Sequence, residues 1–410
     1  MDGAGTGGAG TDSAGTGGTG TGREGFVAIF LAFLRLGLTA FGGPVAHIGF
    51  FREEFVARRG WLSEARYAEL VALCQVLPGP ASSQVGFALG LMRGGWRGAA
   101  AAFLGFTLPS ALALALFGAA VAGAADPGAG WLVGLKAAAA GAVAAALWGM
   151  AQGLAPDRAR RTLALAAACV AALAPGVWGQ LGAVALGAAA GLALRQGAAA
   201  GGDGRLLPVS RAAGTAALAG FAALLLGLPL LAGLGEGWAL ADGIARAGAL
   251  VFGGGHVVLP LLQAEVVETG LVPAETFLAG YGAAQAVPGP LFTIASHLGA
   301  AVSGASGAVI ATLAIFAPGF LLLVGAAPFW EGIRTRAPAR HALAGINAAV
   351  VGLLLAAFWD PVLVTAGATP AGFALALASG AAMGMWKLPP ALVVLGAAAL
   401  GQGAALAGLL

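Results

Sequence analysis

Long charge-free apolar runs alternate along the chain with short charged connectors. The runs free of Asp, Glu, Lys and Arg cover 36–51, 70–92, 98–125, 137–156, 162–194, 212–235, 247–264, 276–330, 341–359, 361–386 and 388–410. A bilayer core takes roughly 20 residues of helix to cross, and several runs are close to that length. The 162–194 and 276–330 runs fit two passes each, with Pro175-Gly176 and the Ser303–Ser306 turn as breaks. The short apolar-polar alternation of transmembrane strands is missing. The pattern predicts an all-α polytopic membrane protein. Four runs are broken in their middle, at Phe41-Gly42-Gly43-Pro44, Pro78-Gly79-Pro80, Phe252-Gly253-Gly254-Gly255 and Pro288-Gly289-Pro290. Backbone broken at membrane depth must be buried in protein or line a polar cavity. These segments are therefore read as broken or re-entrant helical hairpins, around 26–51 and 67–92 in the first half of the chain.

The breaks are copies of one another. Arg35, Gly37 and Phe41-Gly42-Gly43 recur as Arg246, Gly248 and Phe252-Gly253-Gly254, a shift of 211 residues. Glu54 maps to Glu265 and Glu64 to Glu275 at the same shift. Gln75 and Pro78-Gly79-Pro80 map to Gln285 and Pro288-Gly289-Pro290 at 210; Gly98 and Pro109 map to Gly307 and Pro318 at 209. Gly134, Gly141 and Trp148 map to Gly345, Gly352 and Trp359, again at 211. An offset held this steadily implies two homologous halves. The expected organisation is a Gly/Thr-rich disordered tail (1–25), a first repeat (26–200), a linker with one connecting transmembrane helix (201–239) and a second repeat (240–410).

Charge then orients the halves. The first repeat carries Arg52, Arg58, Arg59 and Arg66 in one connector, Arg93 and Arg97 in the next, and Arg158, Arg160 and Arg161 further on, with none in 123–130. In the second repeat the equivalents of the Arg-bearing connectors lack basic residues, and the first holds Glu265, Glu268 and Glu275. The equivalent of the empty one holds Arg334, Arg336 and Arg340. Basic connectors mark the cytoplasmic side, so the halves should lie upside down relative to each other. An inverted-topology repeat with broken helices at its centre is a plan of secondary transporters. Each half is expected to hold two broken hairpins and then four spanning helices.

Composition agrees. Of 410 residues, 59% are hydrophobic and only 9% charged, with a mean hydropathy of +0.91. A soluble domain could not cover its surface with so few charges, which excludes a cytosolic enzyme, a disordered protein and a nucleic-acid binder. A net charge of +3 suggests no polyanionic partner. The two cysteines form no CxxC pattern, no metal or haem ligand set is visible, and no HExxH, GxSxG or P-loop motif occurs. The expectation is no cofactor, no metal and no catalytic site.

Helices that begin at mid-membrane direct unpaired N–H groups and a positive dipole end into the centre, a setting for anions. The candidate substrate-binding residues are Gly42, Gly43, Pro78, Gly79, Pro80, Gly253, Gly254, Pro288, Gly289 and Pro290 at the breaks. Ser82, Ser83, Thr293, Gln75, Gln84 and Gln285 add neutral polar contacts. Arg35 and Arg246, each six residues before a Phe-Gly-Gly break, are charges deep in apolar sequence; as a pair they could balance a dianion, or each could snorkel to a headgroup. His47 and His256 follow the breaks and could bind an anion, carry a proton or simply be packed. Glu54 and Glu265 could take a coupling proton, pair with Arg35 and Arg246, or cap a helix. Lys136, whose mate is Asn347, could face the cavity.

Three stretches of the first half, FGGPVAHIG (41–49), LCQVLPGPASSQ (73–84) and GFTLP (105–109), resemble the chromate ion transporter family. So do FGGGHVVLP (252–260) and QAVPGPLFT (285–293) in the second. The resemblance spans nearly all of 26–410 and matches the long-chain, two-domain members. It implies a bacterial inner-membrane protein that exports chromate and confers chromate resistance, with sulfate, a similar tetrahedral dianion, as competitor. A general sulfate or oxyanion transporter and an anion channel are the alternatives. The expected partners are the oxyanion, the lipid bilayer and a coupling proton, with a homodimer as an open arrangement.

Overall fold

A computed structural model describes residues 24–40, 43–124, 129–174, 177–195, 206–251, 258–330, 332, 336–366 and 369–408. The expected disordered tail lies outside the described residues apart from Glu24 and Gly25, as does Pro175-Gly176. Among the described residues the chain is helical, without strands. Five helices are long and apolar enough to cross a membrane, and several shorter apolar ones accompany them. The protein is a multi-pass membrane protein.

The first half opens with α1 (Phe26–Thr39) and α2 (Gly43–Phe51), the latter continuing as a π-helical turn, Arg52–Arg58. Then come α3 (Glu64–Val76) and α4 (Ala81–Ala124). Glu24 N–H donates to Arg93 O at 3.3 Å, and Trp61 Nε1 donates to Glu24 Oε1 at 2.8 Å. The start of α1, the connector after α2 and the first segment of α4 therefore meet at one end of the molecule. Both hairpins enter from that end and return to it, which makes them re-entrant. Stacked aromatics close the first hairpin, Phe33 on Phe55 at 4.6 Å and Phe55 on Trp61 at 4.3 Å. The guanidinium groups of Arg59 and Arg93 lie 5.8 and 5.4 Å from the Trp61 ring.

α4 is not one straight rod. Gly95 has φ +63°, and a Cβ on Gly90 would collide with the Gly98 carbonyl. In a continuous helix residues eight apart are about 12 Å apart, so the chain turns back at Gly95. It crosses to the far side only over 96–124.

Three more crossings complete the half: α5 (Gly130–Leu154), α6 (Arg158–Leu173) and α7 (Val177–Leu194). The connecting helix α8 (Arg211–Ala232) follows, almost none of it buried. The second half repeats the plan with α9 (Glu236–Leu250), α10 (Val258–Leu262) running into a π-helical turn (Gln263–Val267), α11 (Ala274–Ala286) and α12 (Ile294–Ala326). α12 turns back at Ser303-Gly304, where Gly304 has φ +62°. The last crossings are α13 (Ala337–Ala357), α14 (Pro370–Gly384) and α15 (Pro390–Leu406). Ser63, Asp157, Ser210 and Thr369 cap α3, α6, α8 and α14, each accepting from a backbone N–H.

Val121, Glu236, Val272, Thr276 and Val302 line one cavity. The hairpins of the second half therefore open at the end opposite to those of the first, as the charge pattern predicts. Arg-bearing connectors gather at the first end and acidic ones at the second. By the positive-inside rule the Arg-rich end is cytoplasmic.

The halves are intertwined. α5 of the first packs against α14 and α15 of the second, and α13 packs against α6 and α7. The repeated glycines make this possible. Cβ atoms on Gly134 and Gly141 would collide with Ala397 and with Ser379-Gly380; on Gly345 and Gly352 they would collide with Gly187 and with Ala164. Small residues at such contacts let helix backbones approach in the bilayer. The symmetry is broken at one place. α11 is seated on α5 through Gly282, whereas its counterpart α3 makes no comparable contact with α13.

Two predictions follow from this packing. Gly134→Val and Gly345→Val should each cost about 1–3 kcal/mol or more through overpacking, read as a lowered unfolding temperature in detergent. Gly149→Ala, with nothing within 4 Å of the added methyl, should leave it unchanged or slightly raised. With Cys74 and Cys169 replaced by Ala, Ser63→Cys should react with an impermeant maleimide only from the cytoplasmic side, and Thr269→Cys only from outside. Labelling of both from one side would refute the inverted topology.

Candidate functional site

α1 ends at Ala40 and α9 at Val251, equivalent positions at the shift of 211. Each end leaves carbonyl groups without an intrahelical partner. The opposite half supplies the donor in both cases. Gly79 N–H donates to Val251 O at 2.7 Å, and Gly289 N–H donates to Ala40 O at 3.0 Å. Both glycines have positive φ, +125° and +105°, a region that L side chains rarely adopt. Space demands glycine too. A Cβ on Gly79 would lie 2.8 Å from Gly319 Cα, and one on Gly289 2.8 Å from Ser110 Oγ. Gly319 and Ser110 are themselves equivalent, each following a helix-interior proline, Pro318 and Pro109. Both Pro-Gly-Pro turns and both α1/α9 ends thus cross near the pseudo-two-fold axis.

The backbone there is symmetric and the side chains are not. In the first half, Ser82, Ser83 and Gln84 open α4 and are all buried. Gln84 Nε2 donates to Pro78 O at 3.0 Å and Gly319 O at 2.8 Å, tying the turn across to α12. Ser83 Oγ and Gln84 Oε1 are buried without a partner, as is Thr107 Oγ1. The first-turn amides of Ala81, Ser82 and Ser83 precede the helix's own hydrogen-bond ladder. His47 is buried with Nε2 3.2 Å from Ala40 O and Nδ1 3.4 Å from Ser82 Oγ. A carbonyl only accepts, so Nε2 carries the proton, and in the neutral ring Nδ1 accepts from the Ser82 hydroxyl.

The second half places Leu291, Phe292 and Thr293 at the corresponding start. There Thr293 N–H and Oγ1 both donate to Pro290 O, at 3.0 and 2.6 Å. That helix start is closed on itself, and the unpartnered hydroxyl lies at the start of α4 in the first half.

The charged residues also part company. Arg246 Nε and Nη2 donate to both oxygens of Glu265, at 2.6–3.1 Å, and Nη1 donates to Asp242 Oδ2. Its positive charge is therefore balanced in this structure, and the pairing of Glu265 with Arg246 is one of the three arrangements expected of that glutamate. Glu54 does not bond to Arg35. It accepts from Arg58 at 2.8 Å and Arg59 at 2.7 Å. The guanidinium of Arg35 has no hydrogen-bond or ion-pair partner among the described residues and is exposed on α1.

Other expected site residues are placed as follows. Gly43 adopts φ +76° at the start of α2. Gln75 is exposed near the end of α3. Gln285 is half-buried at the end of α11, its Nε2 unpartnered. Gly42, Gly253, Gly254 and His256 lie outside the described residues. Lys136 shares a cavity of about 110 Å³ with Glu275 and Thr276 near the Arg-poor end, not the crossing. His297 is buried against Phe117 with Nε2 3.0 Å from Thr276 O. No cluster of three metal-ligating side chains occurs among the described residues.

Sequence reasoning missed Asp242, whose signal was its spacing of four residues before Arg246 on one helix face. It also missed Ser110, Thr107 and Gly319, which only the fold brings to the crossing.

Comparison with known proteins agrees with this plan. The profile of the Chromate transporter family matches residues 27–194 and again 238–402. The chromate transport protein of Pseudomonas aeruginosa is 32% identical over 88% of this chain and 87% of its own. The probable chromate transport protein of Synechococcus elongatus is 31% identical over 73% and 75%, and the chromate transport protein of Cupriavidus metallidurans 29% over 79% and 80%. No solved structure matches the chain. Matched once in each inverted half, and across most of its length by these relatives, the chain belongs to the chromate transporter family.

Proposed function

We propose that the protein is a secondary transporter that carries chromate out across a bacterial inner membrane and so confers chromate resistance. One observation carries the placement of the anion. At the buried start of α4, Ser83 Oγ has no partner, and the first-turn amides of Ala81, Ser82 and Ser83 precede the helix's own hydrogen-bond ladder. A helix N-terminus supplies donors and a positive dipole end to an oxyanion. Neutral donors there replace the water that a tetrahedral dianion loses on entering the protein. Arg35, without a hydrogen-bond partner among the described residues and within electrostatic reach of Glu54, supplies attraction on the approach from the cytoplasmic end. Arg246 stays with its carboxylates. The names of the Pseudomonas and Cupriavidus relatives point to the same substrate.

The unequal seating of α11 and α3 suits alternating access, in which the hairpins of one half rest on the core helices while those of the other stand away. A general oxyanion carrier that also accepts sulfate is the second reading. It is favoured by the donor set itself, since hydroxyls and amides read charge and shape, and the two dianions share both.

Radiolabelled chromate flux in proteoliposomes tests this. Saturable flux with counterflow is expected, and single-channel currents would instead indicate an anion channel. Ser83→Ala should weaken apparent affinity about tenfold to a hundredfold, from about 1.5–3 kcal/mol per hydrogen bond to a charged group. Arg35→Ala should slow uptake from the cytoplasmic side. Normal transport by both variants would remove the anion from this position. Flux that excess sulfate abolishes would favour the broader carrier.

A further inference from the structure

The Asp242–Arg246–Glu265 cluster has no role in holding the anion under the reading above, yet it is the most concentrated buried charge in the second half. Asp242 is 5% exposed and Glu265 4%. Two carboxylates share one guanidinium, which leaves one excess negative charge. An uncompensated charge removed from water is costly, and a single bound proton cancels it.

The hydrogen bonds identify the atom. Both oxygens of Glu265 already accept from Arg246, so a proton there would break a two-pronged ion pair. Asp242 accepts through Oδ2 only, and its Oδ1 is buried without a partner. A proton on Oδ1 leaves every existing bond intact.

The surroundings supply no other charge to this carboxyl among the described residues. α8 carries no charged residue after Arg211, and α10 carries none. On α12 the one titratable group, His297, is turned toward α11 and Phe117. Glu268, past the π-helical turn, lines a separate cavity with Gln180 and Trp359. Glu236 stands exposed at the start of α9.

Among the described residues the first half has no such site. The counterpart of Asp242 is Leu31, and Glu54 is bonded by Arg58 and Arg59, whose counterparts are Thr269 and Gly270.

We infer that Asp242 is the proton-binding group of this carrier, one per chain, with Arg246 and Glu265 as its positioning residues. This rests on the transport reading and adds its coupling ion; the sequence had pointed to Glu54 and Glu265 instead. The proton arrives from the Arg-poor end, from which α9 enters, and meets Asp242 one helical turn before Arg246. It binds Oδ1 and leaves from the same oxygen. The cluster joins α9 to the π-helical turn after α10, the two arms of one broken hairpin. Arg246 lies five residues before Val251, whose carbonyl holds the Gly79 turn. Neutralising Asp242 leaves the charge of Arg246 to Glu265 alone, which tightens the bond between the two arms and so reaches the crossing.

Two measurements test this on the full-length protein. Infrared difference spectra across a pH titration read the carbonyl stretch of a protonated carboxyl group without any substrate. Chromate flux in proteoliposomes with a pH-sensitive dye reads protons moved with the anion. The wild type should show both a titrating band and proton movement. Asp242→Asn should lose the band and the proton movement, and its chromate exchange should become independent of pH. Asp242→Glu should regain the band at a shifted midpoint, which also serves if the Asn variant does not fold. A wild-type band and stoichiometry in Asp242→Asn, or an unshifted midpoint in Asp242→Glu, would overturn the assignment. A band that Asp242→Asn abolishes, in a protein that moves no chromate, would sink the transport reading and leave the proton site standing.

Discussion

Backbone interrupted inside a bilayer has no water to bond to, and each bare carbonyl or amide there costs several kcal/mol. This chain interrupts itself at four homologous places and answers with an exchange between halves. Gly79 N–H goes to Val251 O and Gly289 N–H goes to Ala40 O. Each half takes a backbone donor from the other at its centre, and the first adds His47 Nε2 to Ala40 O from its own side. The same dependence extends outward, where α5 lies on the second half's last two helices and α13 on the first half's α6 and α7. Glycine is required at these contacts for different reasons, a left-handed φ at the turns and bare space at the helix crossings. Mutual completion therefore sets the architecture, and the hydrophobic surface elsewhere needs only to be apolar enough for lipid.

Within this shared frame the halves have divided their chemistry. The first keeps a polar, under-bonded helix start with Ser82, Ser83 and Gln84, and a histidine against Ser82. The second fills the equivalent place with Leu291 and Phe292 and closes Thr293 on Pro290. Charge is divided the other way. Glu54 is surrounded by two arginines, whereas Glu265 shares one arginine with Asp242. On the proposed reading one half carries the neutral donors for the oxyanion, and the other carries the carboxyl that takes the proton.

Most of the frame was legible in the sequence because it is written in residues with few substitutes. Gly and Pro at broken helices, charge-free runs of bilayer length and the distribution of arginine each have a single strong physical cause, and the constant offset joined them. The re-entrant hairpins, the turn at Ser303-Gly304 and the inverted orientation could all be read in that way. The partners of the charges could not. Arg35 and Arg246 have matching sequence contexts, but their surroundings are decided by residues outside the repeat motif. Asp242 stands where the first half has Leu31, and Arg58 and Arg59 reach Glu54 across the irregular turn of a π-helix. The cross-half bonds were invisible for a related reason. A shift in numbering says which residues are equivalent, and says nothing about whether equivalents meet each other or trade neighbours.

The proposed division of charge has an energetic consequence. A dianion leaving the cytoplasm while one proton enters through Asp242 shifts three elementary charges in the direction that an inside-negative membrane favours. At about 2.3 kcal/mol per charge per 100 mV, the potential contributes about 7 kcal/mol for each 100 mV. A tenfold concentration ratio costs about 1.4 kcal/mol, so the potential alone can hold a steep outward gradient of the anion. The binding site then has no need of high affinity, and strong binding would only slow release on the outer side. Neutral hydroxyls and amides at the α4 start, with one arginine outside them and the other arginine held by carboxylates, match that requirement better than a pair of free guanidinium groups would. On the proposed reading the balanced Arg246 serves transport by staying with its carboxylates and leaving the anion site weak enough to let the anion go.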